Sequence, residues 1–201
     1  TLSHHTRKVL TGSPRQAVQL DADAVAAHVN VSSEYEREML RILGALSHEC
    51  DSYGMPLVAI MYPRRESPRG DDNYEELKRD NPSQYSKLVA HSARIGVDLG
   101  ADLIKTQYTG TPETFSRVVE ACGTVPVVVA GGALMTVESL LQITYDVIQA
   151  GGAGISFGRN VFGRDEPQPV VAALKAIVHQ GVDPLAAASL LKSWTKHEDH
   201  G

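Results

Sequence analysis

A lysine, Lys105, lies inside the stretch ADLIKTQY (101–108), where Leu103, Ile104 and Thr106 suit a strand buried on both sides. Burying an ammonium group costs free energy unless the group is paired or neutralised. Desolvation lowers the pKa of a lysine, and a neutral amine of this kind forms Schiff bases with carbonyl compounds. Lys105 is therefore a candidate nucleophile. The alternative is a strand-end lysine that reaches solvent or pairs with an acid.

A tyrosine, Tyr62, ends a second apolar run, PLVAIMYP (56–63), and precedes Pro63, which favours an extended backbone at the tyrosine. If this run is a strand, the phenol lies near its carboxyl end. There it could transfer a proton at a substrate carbon or oxygen. A tyrosine that covers the edge of the core is the alternative.

Two glycine-rich stretches, VAGGA (129–133) and FGRN (157–160), follow the last two apolar runs of the chain. Glycine lets backbone N–H groups approach an anion closely, and an arginine adds a charge-assisted hydrogen bond. Ordinary turn chemistry after a strand is the alternative. The candidate phosphate-binding residues are Gly131, Gly132, Gly158 and Arg159.

His28 and Asn30 alternate along AAHVNV, so both could point to the same inner face of a strand. They are possible substrate contacts, and satisfied polar residues of the core are the alternative. No spacing typical of metal ligands is visible, so we expect neither a metal nor a cofactor.

The elements that position these residues alternate along the chain as apolar runs and amphipathic segments. The near-continuous apolar runs predict strands covered on both faces, as in a parallel sheet. Residues 7–20 are expected to add a strand remnant and a helix. The other expected strands are 23–31, 56–63, 101–108, 125–132 and 153–160, and the helices are 33–54, 82–100, 111–123, 136–152, 166–181 and 183–194.

This strand–helix unit is repeated at least five times, which predicts an α/β protein. Five or six units are too few for a closed eight-stranded barrel, so either the sheet is open or a barrel lacks its first strands. Because the chain opens at Thr1 with TLSHHTRKVLTG, we expect that the N-terminal part of a longer protein is absent. We expect one partial barrel domain over residues 1–201.

The segment RRESPRGDDNYEELKRDNPSQY (64–85) interrupts this rhythm and is predicted to be an inserted charged loop. In barrels of parallel strands, the loops after strands build the active-site face. The segment therefore either contributes to the site or is a solvated surface insertion.

The composition limits the classes of partner. The 201 residues carry a net charge of −5, which argues against a nucleic-acid partner. No apolar run is long enough to cross a membrane. Cys50 and Cys122 do not form a disulfide framework, so we expect a reducing cytoplasm.

Five motifs follow one another across about residues 20–180: HVNVSS, GMPLVAIMYPR, LVAHSARIGVDLGADLIKTQYTG, VPVVVAGG and AGISFGRNVFG. Taken together and in this order, they resemble those of the archaeal-type class I aldolases. This family includes archaeal fructose-bisphosphate aldolases and 2-amino-3,7-dideoxy-D-threo-hept-6-ulosonate synthase. HVNV and MYPR are more similar to the synthase branch and to related actinobacterial aldolases.

The resemblance implies a (β/α)8 TIM barrel that acts by Schiff-base chemistry, without a cofactor, on a phosphorylated ketose and an aldehyde. Lys105 stands at the position of the imine-forming lysine and Tyr62 at that of the proton-transfer tyrosine. The aldehyde in the synthase branch is aspartate semialdehyde. The resemblance also implies a homo-oligomer, often built from rings of five. The positions that match the family's phosphate site are Gly131, Gly132, Gly158 and Arg159.

Three features depart from the family. Its early strands have no counterpart here, including one that ends in an Asp assisting catalysis, so no residue is assigned that role. Arg65 replaces a glycine that commonly follows MYPR, and the loop after it is longer. Phe157 stands where the family often has valine. We expect this bulkier side chain to narrow the end of the pocket that binds the phosphate.

Two other interpretations stay open. One is a non-catalytic relative or fragment that keeps a sugar-phosphate pocket. The other is a phosphate-binding barrel isomerase without a Schiff base, which leaves Lys105 unexplained.

Overall fold

The computed structural model describes residues 5–68 and 70–198, the last seven of these by their backbone only. The strands are β1 Val25–Val31, β2 Leu57–Pro63, β3 Arg65–Ser67, β4 Gly70–Asp72, β5 Leu103–Thr106, β6 Val127–Ala130 and β7 Gly154–Ser156. The helices are α1 Pro14–Gln19, α2 Glu36–Tyr53, α3 Glu75–Asp80, α4 Pro82–Asp98, α5 Pro112–Cys122, α6 Val137–Gln149, α7 Arg159–Phe162, α8 Pro167–Gln180 and α9 Pro184–Glu198.

The helices begin and end at recognisable capping residues. The side chain of Asn81 accepts a hydrogen bond from the N–H of Gln84 at the start of α4, and proline follows directly at the first helical position. Thr111 and Thr114 form a reciprocal capping box before α5. Gly54, in the left-handed conformation, ends α2. These local signals explain why the expected helices are found close to their predicted limits.

Five parallel strands form the main sheet, in the order β1-β2-β5-β6-β7. In the register of the sheet, Ile60 pairs with His28 on one side and with Lys105 on the other. Lys105 in turn pairs with Val128 of β6. The predicted α/β class with a parallel sheet is confirmed, and the repeated strand–helix unit is that of a partial (β/α) barrel.

One face of this sheet carries the main core. Met61 and Ile104 point to this face and are fully buried, as are Val29 and Val129. Helix α4 packs so closely here that a Cβ on Gly96 would lie 2.7 Å from Cδ1 of Ile104 and 2.8 Å from Cγ of Met61. A side chain at this position would overlap Met61 and Ile104, so glycine permits the close approach of the helix to the sheet.

The opposite face carries Ile60, Tyr62, Lys105 and Val128, which are only half-buried. The prediction that the strands are covered on both faces is therefore wrong for the described residues. The physical reason is that five strands do not close into a barrel, so their inner face lacks a second layer.

The segment predicted as an inserted charged loop has regular structure. Strands β3 and β4 form an antiparallel hairpin, and α3 follows before α4 begins at Pro82. Across the hairpin, Nε of Arg65 lies 2.9 Å from Oδ2 of Asp72. The strand remnant expected within residues 7–20 is absent from the described residues there, which form only α1.

A second apolar cluster joins α6, α8 and α9 through residues such as Leu140, Leu174 and Ala187. Phe157, which follows β7, packs against both this cluster and the main core. Cys50 and Cys122 are buried free thiols. In the described part of the chain, no helix combines the length and apolarity that a membrane crossing requires.

Candidate active site

Lys105 and Tyr62 lie on the same face of the sheet and line one cavity of about 790 Å³. Lys105 pairs with Ile60, and Tyr62 is two residues further along β2, towards its carboxyl end. Because strand side chains alternate between faces, the amine and the phenol project into the same space. Burial lowers the pKa of the Lys105 ammonium group. A desolvated amine beside a phenol suits attack on a carbonyl carbon.

Two side-chain hydrogen bonds fix the strand of Lys105 against the strand of Tyr62. Oγ1 of Thr106 donates to the carbonyl oxygen of Met61 at 2.7 Å. At the other end of the strand pair, Oδ2 of Asp102 accepts from the N–H of Leu57 at 2.8 Å. These contacts keep the two candidate catalytic residues in register.

The phenol of Tyr62 is held by ring contacts on two sides. The His28 ring meets it edge-on, with 4.8 Å between the ring centroids. Cζ of Arg64 lies 5.6 Å from the centroid of the tyrosine ring. Burial raises the pKa of the phenol, and the positive charge of Arg64 opposes that rise. Tyr62 therefore carries its proton at neutral pH and can act as an acid.

The two glycine-rich turns line the same cavity as Lys105. Nη2 of Arg159 donates to the carbonyl oxygen of Gly132 at 3.0 Å, which joins the turn after β6 to the turn after β7. Among the described residues, the N–H groups of Gly132, Gly158 and Arg159 have no hydrogen-bond acceptor. Free N–H groups next to an arginine can hold an anion such as a phosphate. The four predicted phosphate-binding residues are thus brought together.

Phe157 and Gly131 fit against each other at this end of the cavity. A Cβ on Gly131 would lie 3.0 Å from Cδ1 of Phe157. The larger side chain after β7 is therefore accommodated by the glycine after β6, and both residues line the cavity.

Asn160 organises the glycine turns, although the sequence did not single it out. Its Nδ2 donates to the carbonyl oxygens of Gly131 and Ala133, each at 2.9 Å. Its Oδ1 accepts from the N–H of Met135, also at 2.9 Å. The side chain is almost fully buried, and it fixes the turn after β6 from the neighbouring turn. No feature of the sequence marks Asn160 for this role, because its partners lie 25 to 29 residues away.

His28 and Asn30 lie on the inner face but not on the wall of the Lys105 cavity. His28 lines a separate cavity of about 780 Å³ beside β1 and α1. Nδ2 of Asn30 donates to the carbonyl oxygens of His5 and Thr6, at 3.0 and 2.9 Å. Burial, followed by the nearby charges of Lys8 and Arg64, lowers the pKa of His28 to about 3. His28 is thus a neutral ring against Tyr62, and a substrate contact for either residue stays a prediction.

The segment between β2 and α4 supplies a further wall of the cavity. Arg64, Asn73, Glu75 and Lys78 all line it. Sequence reasoning left this segment open between a site element and a surface insertion. Its position directly after Tyr62 was the signal for the first interpretation.

The cavity thus combines a lysine of lowered pKa, a protonated tyrosine and glycine turns with free N–H groups at the carboxyl ends of parallel strands, an arrangement that suits Schiff-base chemistry. The chain belongs to the DeoC/LacD aldolase family, whose family model matches residues 2–164. The predicted resemblance to class I aldolases is therefore confirmed.

Two curated relatives are synthases. The chain is 40% identical over 172 residues to 2-amino-3,7-dideoxy-D-threo-hept-6-ulosonate synthase 1 of Archaeoglobus fulgidus, covering 86% of this chain and 59% of that protein. It is 39% identical over 173 residues to the 2-amino-4,5-dihydroxy-6-oxo-7-(phosphonooxy)heptanoate synthase of Streptomyces griseus, covering 86% and 58%. The chain thus spans less than two thirds of the length of these relatives.

Among solved structures, the fold is similar to that of a Schiff-base-forming fructose-1,6-bisphosphate aldolase. The TM-score is 0.78 at 32% sequence identity, and the match covers 88% of this chain and 66% of that one. The partial barrel described above therefore corresponds to two thirds or less of a class I aldolase chain.

Proposed function

We propose that this chain carries the reaction centre of a class I aldolase, in which Lys105 forms a Schiff base with a phosphorylated ketose. The observation that supports this most strongly is the shared cavity of Lys105, Tyr62 and the glycine turns. The cavity combines a nucleophile of lowered pKa, a proton donor and an anion site on neighbouring strands. The free N–H groups of Gly132 and Gly158, with Arg159, hold the phosphate of the ketose.

The proposed reaction begins when the neutral amine of Lys105 attacks the ketone carbon, and the carbinolamine then expels water. The resulting iminium accepts the electron pair left when the adjacent carbon loses a proton, which gives an enamine. The enamine carbon attacks the aldehyde, and Tyr62 donates a proton to the aldehyde oxygen. Solvent water takes the proton that leaves the carbon, and a proton from solvent restores the Tyr62 phenol after the new bond has formed. The one proton taken up when the carbinolamine loses water is returned when the iminium is hydrolysed. Water then hydrolyses the iminium and releases Lys105.

The name of the Streptomyces griseus relative indicates which bond such a reaction makes. Its product carries an oxo group on carbon 6, hydroxyls on carbons 4 and 5, and a phosphate on carbon 7. An enamine of the carbon-6 ketone reacts at carbon 5, so the bond formed joins carbons 4 and 5. The donor is then dihydroxyacetone phosphate, and the acceptor is aspartate semialdehyde. We propose this pair for the present chain.

Fructose-bisphosphate cleavage is the second candidate, and the similarity to the Schiff-base-forming aldolase supports it. The two candidates share the donor, Lys105 and Tyr62, and they differ only in the aldehyde. The non-catalytic interpretation receives no support, since the matched relatives are named as synthases and an aldolase.

Borohydride trapping tests the proposal. The folded protein is incubated with dihydroxyacetone phosphate, and separately with fructose 1,6-bisphosphate, then reduced and mapped by mass spectrometry. We expect an adduct on Lys105 that Lys105→Ala abolishes. Lys87→Ala, which removes an exposed lysine of α4, is the matched control and keeps the adduct. A folded sample that forms no adduct would overturn the proposal.

A further inference from the structure

We propose that the segment between β2 and α4 forms the acceptor end of the cavity, with Arg64, Glu75 and Lys78 recognising an aldehyde that carries both an α-carboxylate and an α-ammonium group. This inference rests on the proposed function, and it names the side chains that select the second substrate. It assigns a binding role to a segment that contains neither Lys105, nor Tyr62, nor the glycine turns.

The order of the strands places this segment across Lys105 from the phosphate end. Strand β5 lies between β2 and β6. The glycine turns follow β6 and β7, whereas Arg64 directly follows β2. A donor held by its phosphate at the glycine turns, with its ketone carbon at Lys105, therefore directs its new bond towards the side of Arg64.

Two hydrogen bonds hold Arg64 in place and leave the outer edge of its guanidinium group able to bind a ligand. Its Nε donates to Oδ1 of Asn73 at 2.6 Å, and its backbone N–H donates to the carbonyl oxygen of Val31 at 2.9 Å. The two terminal nitrogens of its guanidinium have no hydrogen-bond partner among the described residues. An arginine oriented through Nε and open at its outer edge suits a carboxylate.

Helix α3 adds one charge of each sign to the cavity wall. Nζ of Lys78 lies 5.7 Å from the centroid of the Tyr85 ring. Glu75 lies close enough to Tyr85 to help raise the pKa of its phenol, after burial as the main cause. Neither Glu75 nor Lys78 forms an ion pair or a side-chain hydrogen bond with a residue that the structure describes.

Several charged residues of the same segment that do not line the cavity have partners. Arg79 pairs with Asp80 at 2.8 Å, and Arg65 pairs with Asp72 at 2.9 Å. Oε1 of Glu66 accepts from the hydroxyl of Ser33 at 2.8 Å. The three charged residues that line the cavity differ from these, because their charges stay available to a ligand.

The signs of these charges favour a zwitterion over a second phosphate. Arg64 and Lys78 would attract either a carboxylate or a phosphate. Glu75 would repel a phosphate, but it would pair with an ammonium group. A four-carbon aldehyde with an α-amino acid end fits this set, whereas a sugar phosphate leaves Glu75 as a like-charged neighbour.

The test uses binding by isothermal titration calorimetry, so it does not depend on turnover. The probes are L-homoserine, which has the amino acid end and an alcohol in place of the aldehyde, and 4-hydroxybutanoate, which lacks the amino group. We expect L-homoserine to bind about tenfold more tightly, the scale of one charge-assisted hydrogen bond. Glu75→Gln should remove this preference. Arg64→Gln and Lys78→Gln should weaken both ligands.

Glu76→Gln is the matched control, because Glu76 neighbours Glu75 on α3 but does not line the cavity. It should bind both probes like the unaltered protein. Equal affinity of the unaltered protein for the two probes, absence of binding, or an unchanged preference in Glu75→Gln would overturn this inference. Failure of the proposed function is seen separately, as the absence of a Lys105 adduct with dihydroxyacetone phosphate alone.

Discussion

Lys105 occupies a position where the fold disfavours its charge, because burial lowers the pKa of its ammonium group. The folded chain therefore binds this proton less tightly than the unfolded chain does. Burying the charged Lys105 therefore lowers the free energy of unfolding. This loss has its full size at pH values below the pKa of Lys105 in the folded chain, and it disappears as the pH rises towards the ordinary pKa of 10.5.

Replacing Lys105 by methionine should thus stabilise the folded chain at neutral pH, and the difference should shrink as the pH approaches 10.5. Urea unfolding across this pH range measures the effect. Lys87→Met provides the exposed control and should leave stability nearly unchanged. Equal or lower stability of Lys105→Met at neutral pH would contradict the assignment of a desolvated amine.

Tyr62→Phe separates proton transfer from Schiff-base formation. The phenylalanine ring keeps the contacts with His28 and Arg64 and removes only the hydroxyl. We expect the Lys105 adduct to persist, while turnover falls by about 10²- to 10⁴-fold, the usual contribution of a general acid or base. Adduct mapping and steady-state rates on the same sample measure both quantities. Unchanged turnover would exclude Tyr62 as the proton carrier.

The buried ring of His28 makes the fold sensitive to mild acid. Its folded pKa, about 3, lies below the ordinary value of 6.5, so the unfolded chain takes up a proton first as the pH falls. Stability contributed by the neutral ring is present above pH 6.5 and is lost as the pH falls towards 3.

In His28→Gln, the free energy of unfolding should decrease less as the pH falls. Urea unfolding at pH values between 7 and 5 measures this decrease. Glu66 does not interfere in this pH range. Its pKa is lowered from 4.5 to about 2, so its effect on the free energy of unfolding changes only at lower pH. A variant whose stability falls as steeply as that of the unaltered chain would show that other groups dominate.

The sequence singled out Lys105 because a lysine within an apolar run is unusual, and it singled out Tyr62 and the glycine turns because they stand where apolar runs end. Asn160 and Glu75 were not predicted. Their roles depend on contacts with turns and helices remote in the sequence, and an isolated Asn or Glu carries no local sign of such contacts.

At the scale of elements, the amphipathic periodicity of the sequence made most helices predictable, whereas the hairpin of β3 and β4 was missed. Its strands are short and charged, and a cross-strand pair such as Arg65 with Asp72 holds them together in place of an apolar face. The period-2 apolar signal that identifies strands is therefore missing from this segment.

The contact of α4 with the sheet gives a prediction that distinguishes two helical glycines. Gly96→Ala should destabilise the fold by about 1–3 kcal/mol, because the new Cβ would overlap Met61 and Ile104. Gly44→Ala in α2 should instead stabilise it by about 0.5–1 kcal/mol, since the nearest atom to its Cβ would be 4.0 Å away. Chemical unfolding measures both. Equal effects would contradict the close approach at Gly96.

At the scale of the whole molecule, the sequence predicted the parallel order and the apolar character of the strands. It did not reveal that half of that apolar character lies on an open face. Val58 and Ile60 belong to this face and are half-buried. An apolar strand looks the same in a sequence whether its second face meets other strands or not.

This open face predicts that the chain associates as its concentration rises. Strands β1 and β7 are the outer strands of the described sheet, and the apolar inner face is partly accessible. Sedimentation velocity over a range of micromolar concentrations should detect the association. Val58→Glu should reduce it, whereas Leu185→Glu, on the exposed side of α9, should not. A monomer at every concentration would contradict this prediction. The homo-oligomer that the resemblance implies stays a prediction.

Phe157 has a consequence for the local opening of the molecule. The cluster around α6, α8 and α9 packs separately from the main core, and Phe157 contacts both. Elements that share few packed side chains can open as separate units, each with its own protection from hydrogen exchange. Phe157 also packs against Gly131 in the turn that we propose holds the phosphate. A ligand that immobilises this turn would therefore slow exchange in α8, a helix that the ligand never touches.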